Sequence, residues 1–260
     1  MKTRMFITTV FCFFTFIASH TAIALTGDDI IGLVDKHEDG YVDLVADVEM
    51  ILVKKNHENR VRFLKVSSIE LEPLGDKRKY VFKQPADIKG TAILIHSKVI
   101  EDDANWIYLP AFKRVKRVSS TNKKTPFVGS QFSYEDLSSQ EKEKYQNQYL
   151  GDANCDDIAC YQVKRVPKYN NSGYSHLISY VDKDKHRFVK IDYFNKSDKL
   201  LKTQYLSDYK LYDNKFLVAS TLKMTDYKTD KTTIMKWKNI KLKNALSESK
   251  FTKNILKRLK

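Results

Sequence analysis

Alternation of apolar and polar residues is the main pattern in this chain and predicts a protein built mostly from β-strands. The longest example runs from Val42 to Leu52. Every second residue in it is apolar, and Asp43, Asp47 and Glu49 fall on the opposite face. Further strands are predicted over residues 60–72, 79–83, 91–96, 105–109, 113–118, 161–166, 175–181, 188–194, 200–211, 216–224 and 232–240. Long strands with one apolar face are typical of a curved antiparallel sheet.

Three short segments have the spacing of helices instead. Thr26, with Asp29 three positions later, predicts a capped helix whose apolar side includes Ile30 and Val34. Ser138 and Glu141 form a second capping pattern before a polar helix that is expected to reach Tyr149. A last amphipathic helix is predicted from Phe251 to Leu259.

Eleven or twelve strands in succession with few helices indicate a mainly β (α+β) fold. We expect a single curved antiparallel sheet, a half-barrel, whose open side is covered by the helices over an apolar cavity. The alternative is a fully packed core without a cavity. Residues 25–260 contain no repeat and no Pro- or Gly-rich linker, so they are expected to form one domain.

The first 24 residues differ from the rest and predict a cleaved secretory signal. Lys2 and Arg4 precede an apolar stretch from Met5 to Ile17, and Ala22-Ile23-Ala24 supplies a small-residue cleavage pattern. An uncleaved membrane anchor is the alternative, but the apolar stretch is shorter than the roughly 20 residues that a spanning helix needs. The mature chain is expected to begin at Leu25 and to work outside the cytoplasm as a soluble protein.

The chain is strongly basic, with 46 Lys and Arg residues against 32 Asp and Glu residues and a formal net charge of +14. An exported protein does not meet nucleic acid in its normal work. A cationic surface therefore favours contact with anionic lipid surfaces or acidic proteins, unless the charge serves solubility alone.

Two cysteines remain after signal removal, Cys155 and Cys160, five residues apart. In an oxidising compartment an isolated pair predicts a local disulfide. A redox site is the alternative, but the usual catalytic spacing is Cys-x-x-Cys, and the intervening Asp156 and Asp157 would raise a thiol pKa.

Motifs for catalysis are not found in the sequence. It contains no nucleophile elbow, phosphate-binding loop, zinc-protease motif or dinucleotide fingerprint. The histidines after the signal are scattered, so no metal or other cofactor is expected. A non-enzymatic role is therefore favoured, although a catalytic triad can be assembled from distant positions.

The segment from Lys113 to Val118 is unusual because strand alternation places cations on both of its faces. A buried face cannot hold such charges without partners. We expect Arg114 and Arg117 to pair with Glu135 or Asp136, and the alternative is a solvated surface.

Three blocks resemble the outer-membrane lipoprotein-sorting protein family, the Lol-carrier-like proteins of the Gram-negative periplasm. They are Phe82-Lys-Gln-Pro85-Ala-Asp-Ile-Lys-Gly90-Thr-Ala92, Trp106-Ile-Tyr108-Leu109-Pro110-Ala-Phe-Lys-Arg114-Val-Lys-Arg117, and Gly129-Ser130-Gln-Phe132-Ser-Tyr134-Glu135-Asp136-Leu137. Gln131 stands where the family pattern usually has an acidic residue.

The resemblance implies a half-barrel with an acyl-binding cavity. The residues expected to line the cavity are Val42, Leu44, Ala46, Val48, Met50, Leu52, Trp106, Tyr108 and Phe132. The residues expected to have structural or lid roles are Pro85, Gly90, Leu109, Pro110, Arg114, Arg117, Gly129, Ser130, Tyr134, Glu135 and Asp136.

The function implied is a monomeric periplasmic carrier of acylated lipoprotein or lipid, which moves its cargo toward the outer membrane and touches membrane surfaces transiently. Its expected partners are an inner-membrane exporter and an outer-membrane acceptor. A second interpretation is an accessory protein of a resistance-nodulation-division-type exporter. A third is an enzyme that modifies envelope lipids.

Overall fold

The computed structural model describes residues 24–55, 58–99 and 101–258. The predicted signal lies outside these residues, except for Ala24. One α-helix, α1 (Gly27–Glu38), precedes thirteen strands. They are β1 (Asp43–Lys54), β2 (Arg60–Ile69), β3 (Lys77–Gln84), β4 (Ala92–His96), β5 (Ala104–Leu109), β6 (Arg114–Val118), β7 (Tyr145–Cys155), β8 (Ile158–Pro167), β9 (Tyr174–Asp182), β10 (Phe188–Asn195), β11 (Leu200–Tyr212), β12 (Phe216–Asp226) and β13 (Lys231–Leu242).

All thirteen strands belong to one antiparallel sheet, in the order β6-β5-β4-β3-β2-β1-β13-β12-β11-β10-β9-β8-β7. Each half is a meander, and the pairing of β1 with β13 joins the halves. The edge strands β6 and β7 are not paired with each other, so the sheet is not closed. The mainly β prediction is confirmed, with thirteen strands rather than the eleven or twelve expected.

The sheet curves around α1. This helix contacts β7, β8 and β12. In the sheet, β12 lies four positions from β8 and five positions from β7. In a flat sheet those strands would be about 20 Å apart, whereas a twelve-residue helix is only about 18 Å long and 10 Å wide. The face that carries α1 is called the inner face below.

Local sequence explains why α1 begins at Gly27 and lies against β7. Thr26 and Asp29 form the predicted capping box, in which Asp29 N–H donates to Thr26 Oγ1 at 3.1 Å and Thr26 N–H donates to Asp29 Oδ2 at 2.9 Å. Ile30, Ile31 and Val34 are buried. A Cβ atom at Gly27 would lie 2.6 Å from the backbone of Asn147, so only glycine permits this approach.

Two other helix predictions are wrong. The polar helix expected between Ser138 and Tyr149 is replaced by a short 3₁₀ turn, Lys142–Lys144, and by β7. The C-terminal helix is replaced by two 3₁₀ turns, Glu248–Phe251 and Ile255–Arg258. Phe251 and Leu256 from these turns are buried on the outer face of the sheet, against Ile69, Val81, Ala92 and Leu94.

The connection from β6 to β7, residues 119–144, is called the strap below. It joins opposite edges of the sheet, so it must cross the molecule. Its apolar side chains Phe127, Phe132, Tyr134 and Leu137 are buried in the same cluster as inner-face residues. Those inner-face residues include Val48, Met50, Leu64, Tyr80, Phe82, Ile93 and Met235. The strap therefore covers the half of the inner face that is formed by β1 to β4 and β13.

Cys155 and Cys160 form a disulfide at the turn between β7 and β8, with their Cα atoms 6.1 Å apart. Cys160 is fully buried. The bond ties together the end of the hairpin that forms one edge of the sheet, as the spacing of the two cysteines predicted.

Candidate ligand cleft

An open cleft of about 270 Å³ lies on the inner face, on the side that the strap does not fill. Its polar wall is formed by the C-terminal end of α1, strap residues 138–140 and the side chains of β2 and β3. Its apolar wall comes mainly from β10 to β13, and its larger side chains are Phe188, Ile191, Leu206, Leu217, Val218, Leu222 and Trp237. An apolar surface beside convergent polar groups is the usual composition of a site for a small amphiphilic ligand.

Arg78 of β3 is the cation at the polar wall of this cleft. It is half-buried, and its hydrogen bonds are long: Nε donates to Ser68 Oγ at 3.4 Å and Nη1 donates to the Leu137 carbonyl at 3.5 Å. Ser68 Oγ also lies 3.2 Å from the Tyr41 hydroxyl. This guanidinium retains donors for an additional acceptor within the cleft.

Carboxylates surround the same end of the cleft. Burial raises the pKa of Asp76 to about 6, and the nearby charge of Arg78 limits that rise. Part of the Glu38 side chain is exposed at the mouth of the cleft, but the protein atoms around it reduce the amount of water that can solvate its carboxylate. This loss of solvation, followed by repulsion from Asp35, raises its pKa to about 7. Asp39 responds to the same two causes, and its pKa rises to about 8. The polar wall therefore changes its charge near neutral pH.

Two adjacent carboxylates anchor the strap. Glu135 accepts hydrogen bonds from the Tyr169 hydroxyl at 2.9 Å, the Ser172 hydroxyl at 2.6 Å and Gly173 N–H at 2.8 Å. Asp136 forms a buried ion pair with Lys202 of β11, in which the two side chains are 0% and 5% exposed. Asp136 also accepts hydrogen bonds from the Tyr174 hydroxyl and Ser133 N–H, both at 2.6 Å.

The expected pairing of Arg114 and Arg117 with these carboxylates is therefore wrong. Both arginines are exposed on the edge strand β6, and Glu135 and Asp136 are occupied by groups from β9, β11 and the turn before β9. Gln131 does not form an ion pair either. Its side-chain oxygen accepts a hydrogen bond from Thr233 Oγ1 at 2.6 Å, which fixes the strap to β13.

The residues predicted to line a cavity lie in four different places. Leu44 lines the cleft, and Ala46 is buried beside it. Val48, Met50 and Phe132 belong to the packed half of the inner face, with Leu52 at its margin. Val42 is 55% exposed.

Trp106 and Tyr108 pack with the outer-face cluster, under the C-terminal turns. They point away from the inner face because they pair with Leu94 and Ala92, which face outward, while Ile93 and Ile95 face inward.

The remaining motif residues form turns and contacts around the strap and β5. Pro85 follows a cis peptide bond, and Gly90, at φ +81°, lies against Pro110 at the end of the strand that Leu109 closes. Gly129 has φ +74°.

Ser130 donates its hydroxyl to the Phe132 carbonyl at 3.2 Å, and Tyr134 packs edge-on against Phe127 at 5.7 Å. These contacts are structural, and none of these residues lines the cleft.

Sequence reasoning missed most of the apolar wall of the cleft. Leu206, Val218, Leu222 and Trp237 lie in strands that were predicted, and the alternation of those strands indicated which side chains share a face. What the alternation could not indicate is which part of that face the strap leaves uncovered.

No helix among the described residues has the length and apolar character needed to cross a membrane. Within those same residues, no group of three His, Cys, Asp or Glu side chains is placed to hold a metal ion.

An unclosed antiparallel sheet with a helix and a strap on its inner face defines the class of LolA-like folds. A crystal structure described as an outer membrane lipoprotein-sorting protein domain, from Vibrio parahaemolyticus, is 40% identical to this chain. The match covers 89% of this chain and 98% of that one, with a TM-score of 0.86. The chain belongs to the outer membrane lipoprotein-sorting protein family, as its sequence blocks indicated.

Two other solved structures share the fold of this chain. A DUF1329 family protein from Desulfovibrio piger is 27% identical, with a TM-score of 0.83 and coverage of 88% of this chain and 97% of that one. A LolA superfamily protein from Nitrosomonas europaea shares the fold at 20% identity and a TM-score of 0.72, over 89% of this chain and all of that one. A family model described as "Uncharacterized protein" matches residues 75–258. No curated protein sequence matches the chain.

Proposed function

We propose that this protein is a non-enzymatic periplasmic carrier that holds an acyl chain of a lipid or lipoprotein in the inner-face cleft. Family membership supports a role in lipid or lipoprotein transport. The observation that carries the proposal is the apolar wall of the cleft, which includes Leu206, Leu222 and Trp237. Each acyl methylene that leaves water for such a wall contributes about 0.8 kcal/mol, and so a single chain binds firmly yet reversibly.

The polar wall supports an amphiphilic cargo. Arg78 has unused donors, and the carboxylates of Asp76, Glu38 and Asp39 lie around it. An acyl chain on the apolar wall would place its polar end among these groups. The cleft is open to solvent on one side, so a cargo larger than the cleft would be held only by its acylated end.

The first experiment asks whether cargo is present. Protein purified from the periplasm without detergent is analysed by native mass spectrometry, and bound lipid is identified after extraction. We expect part or all of the purified protein to carry a bound lipid or acylated peptide. The carrier proposal fails if folded protein contains no extractable lipid and no fluorescent acyl probe binds it at micromolar concentration.

The second experiment locates the cargo. Leu222→Asp puts a charge on the apolar wall of the cleft, whereas Ile234→Asp puts one on the outer face of the neighbouring strand β13. Both side chains are half-buried, so their effects on folding are comparable. We expect Leu222→Asp to weaken binding of a fluorescent fatty acid by at least about tenfold, because a carboxylate beside an acyl chain must lose solvation. Ile234→Asp should keep the wild-type affinity, and equal losses in the two variants would contradict the assigned site.

A further inference from the structure

Two cation-rich segments lie far apart in the chain. Residues 113–117 contain four Lys and Arg residues, and residues 250–258 contain four more without any carboxylate. The cations are Lys113, Arg114, Lys116, Arg117, Lys250, Lys253, Lys257 and Arg258, and all eight are exposed.

The fold brings these segments together at one edge of the sheet. β6 is the terminal strand, and the 3₁₀ turn Ile255–Arg258 packs against β6 and β4. Arg117, Lys253 and Lys257 line one surface groove of about 430 Å³ that also contains Trp106 and Val115. The eight cations and this groove are called the basic edge below.

The basic edge is not neutralised by the protein itself. None of the ion pairs within the described part of the chain includes any of its eight cations. Carboxylates close to the basic edge have other partners. Glu248 is paired with Lys77, and Asp102 and Asp103, which line a surface depression together with Arg117, are paired with Lys123 and Lys144.

Protection of an edge strand against aggregation explains cations on β6. It does not explain those of the C-terminal segment, which is not a strand.

An exposed aromatic residue lies beside these charges. Phe112 is 65% exposed at the turn between β5 and β6, and Lys116 Nζ is 5.9 Å from the centre of its ring. An apolar side chain flanked by lysines and arginines matches the interface of an anionic bilayer, because the ring enters the head-group region while the cations face phosphates.

We propose that the basic edge docks the protein on bilayers that contain anionic phospholipid. The groove lies on the outer face, and Arg114 and Lys116 lie on the other side of the edge strand β6. None of the eight cations lines the cleft, so docking does not obstruct cargo entry. Each cation near an anionic surface adds a small attraction, and attraction of this kind weakens as salt screens it. Contact is therefore transient, as transfer between membranes requires.

The test is flotation of the full mature chain with vesicles of phosphatidylcholine alone or with about one third phosphatidylglycerol, at low and high NaCl. We expect binding only to the anionic vesicles and loss of that binding at high salt. Arg117→Glu/Lys253→Glu/Lys257→Glu should reduce the partition coefficient by at least about tenfold. Phe112→Ser should reduce it by a few fold.

A matched variant separates location from net charge. Lys210→Glu/Lys228→Glu/Lys231→Glu changes the same number of exposed cations elsewhere on the molecule, none of which forms an ion pair among the described residues. It should keep binding to within about twofold, in line with a location-specific contact.

Equal losses in the two triple variants, or no binding of the wild-type chain to anionic vesicles, would overturn the proposal. The fatty-acid probe separates this result from the carrier function, since the basic-edge variant should retain wild-type probe affinity.

Discussion

Single carboxylates show how far sequence can assign partners. Glu135 and Asp136 were recognised as important from the sequence, and both are anchors of the strap. Their partners were assigned to the nearby cations of β6, whereas the structure supplies Lys202 from a strand 66 residues further along the chain. Charge alone cannot identify a partner across such a distance, because it does not distinguish Lys202 from the other lysines of the chain.

Replacement of Asp136 by Asn should lower the free energy of unfolding by about 3 kcal/mol. The change leaves the ammonium group of Lys202 buried without its counter-ion, which is costly in a poorly hydrated site. Urea denaturation measures this loss. Asp102→Asn is the control, since Asp102 is 43% exposed and lies 3.8 Å from Lys123. Its effect should be below about 1 kcal/mol. A loss as small as the control's would show that the strap does not depend on the buried pair.

Asp76 should make the protein less stable as pH rises through about 6. Burial raises the pKa of Asp76 to about 6, from the usual aspartate value of 3.8. The folded state therefore holds a proton that the unfolded state has already released, and this advantage is complete only below pH about 4 and disappears above pH about 6. The charges that act on this carboxylate are those of Arg78, Glu141, Glu70 and Lys144.

Thermal unfolding of Asp76→Asn tests this sign. The gain in Tm over wild type should be larger at pH 8 than at pH 4, because Asn removes the cost of the ionised form. Asp47→Asn changes an exposed carboxylate on the outer face of β1 and should show little change between the two pH values. A larger gain for Asp76→Asn at pH 4 would contradict the raised pKa.

At the scale of elements, alternation located twelve of the thirteen strands, because one face of each strand is apolar. β7 was not predicted, because its segment Tyr145-Gln-Asn-Gln-Tyr149 is mostly polar and lies at an edge of the sheet. The C-terminal segment has helical spacing but forms 3₁₀ turns, in which Phe251 and Leu256 are buried against strands of the first meander. Tertiary packing overrides local spacing in short segments of this kind.

The strap is the element that sequence described least well. The strap is rich in Ser and Lys, a composition typical of an exposed loop. Its Phe127, Phe132 and Tyr134 nevertheless supply much of the inner-face core. The cleft is the part of the inner face that these side chains leave open. Its position therefore depends on the path of the strap across the sheet, which the periodicity of the sequence does not predict.

At the scale of the whole molecule, two features connect the two meanders of the sheet. β1 pairs with β13 along most of both strands, and the strap crosses from β6 to β7. These connections bury one shared inner core. A chain connected in this way is expected to unfold as one unit rather than as two halves.

The two tryptophans allow this prediction to be measured directly. Trp106 lies on β5 in the first meander and Trp237 on β13 in the second, so Trp106→Phe and Trp237→Phe each leave a single reporter in one half. For each variant, the unfolding midpoint by tryptophan fluorescence in urea should coincide with the midpoint by far-ultraviolet circular dichroism, because the shared core breaks in one step. Comparison within each variant removes the effect of the substitution itself on stability. Fluorescence midpoints that depart from circular dichroism in opposite directions in the two variants would show that the meanders unfold separately, and that residues 25–260 are two folding units joined at β1 and β13.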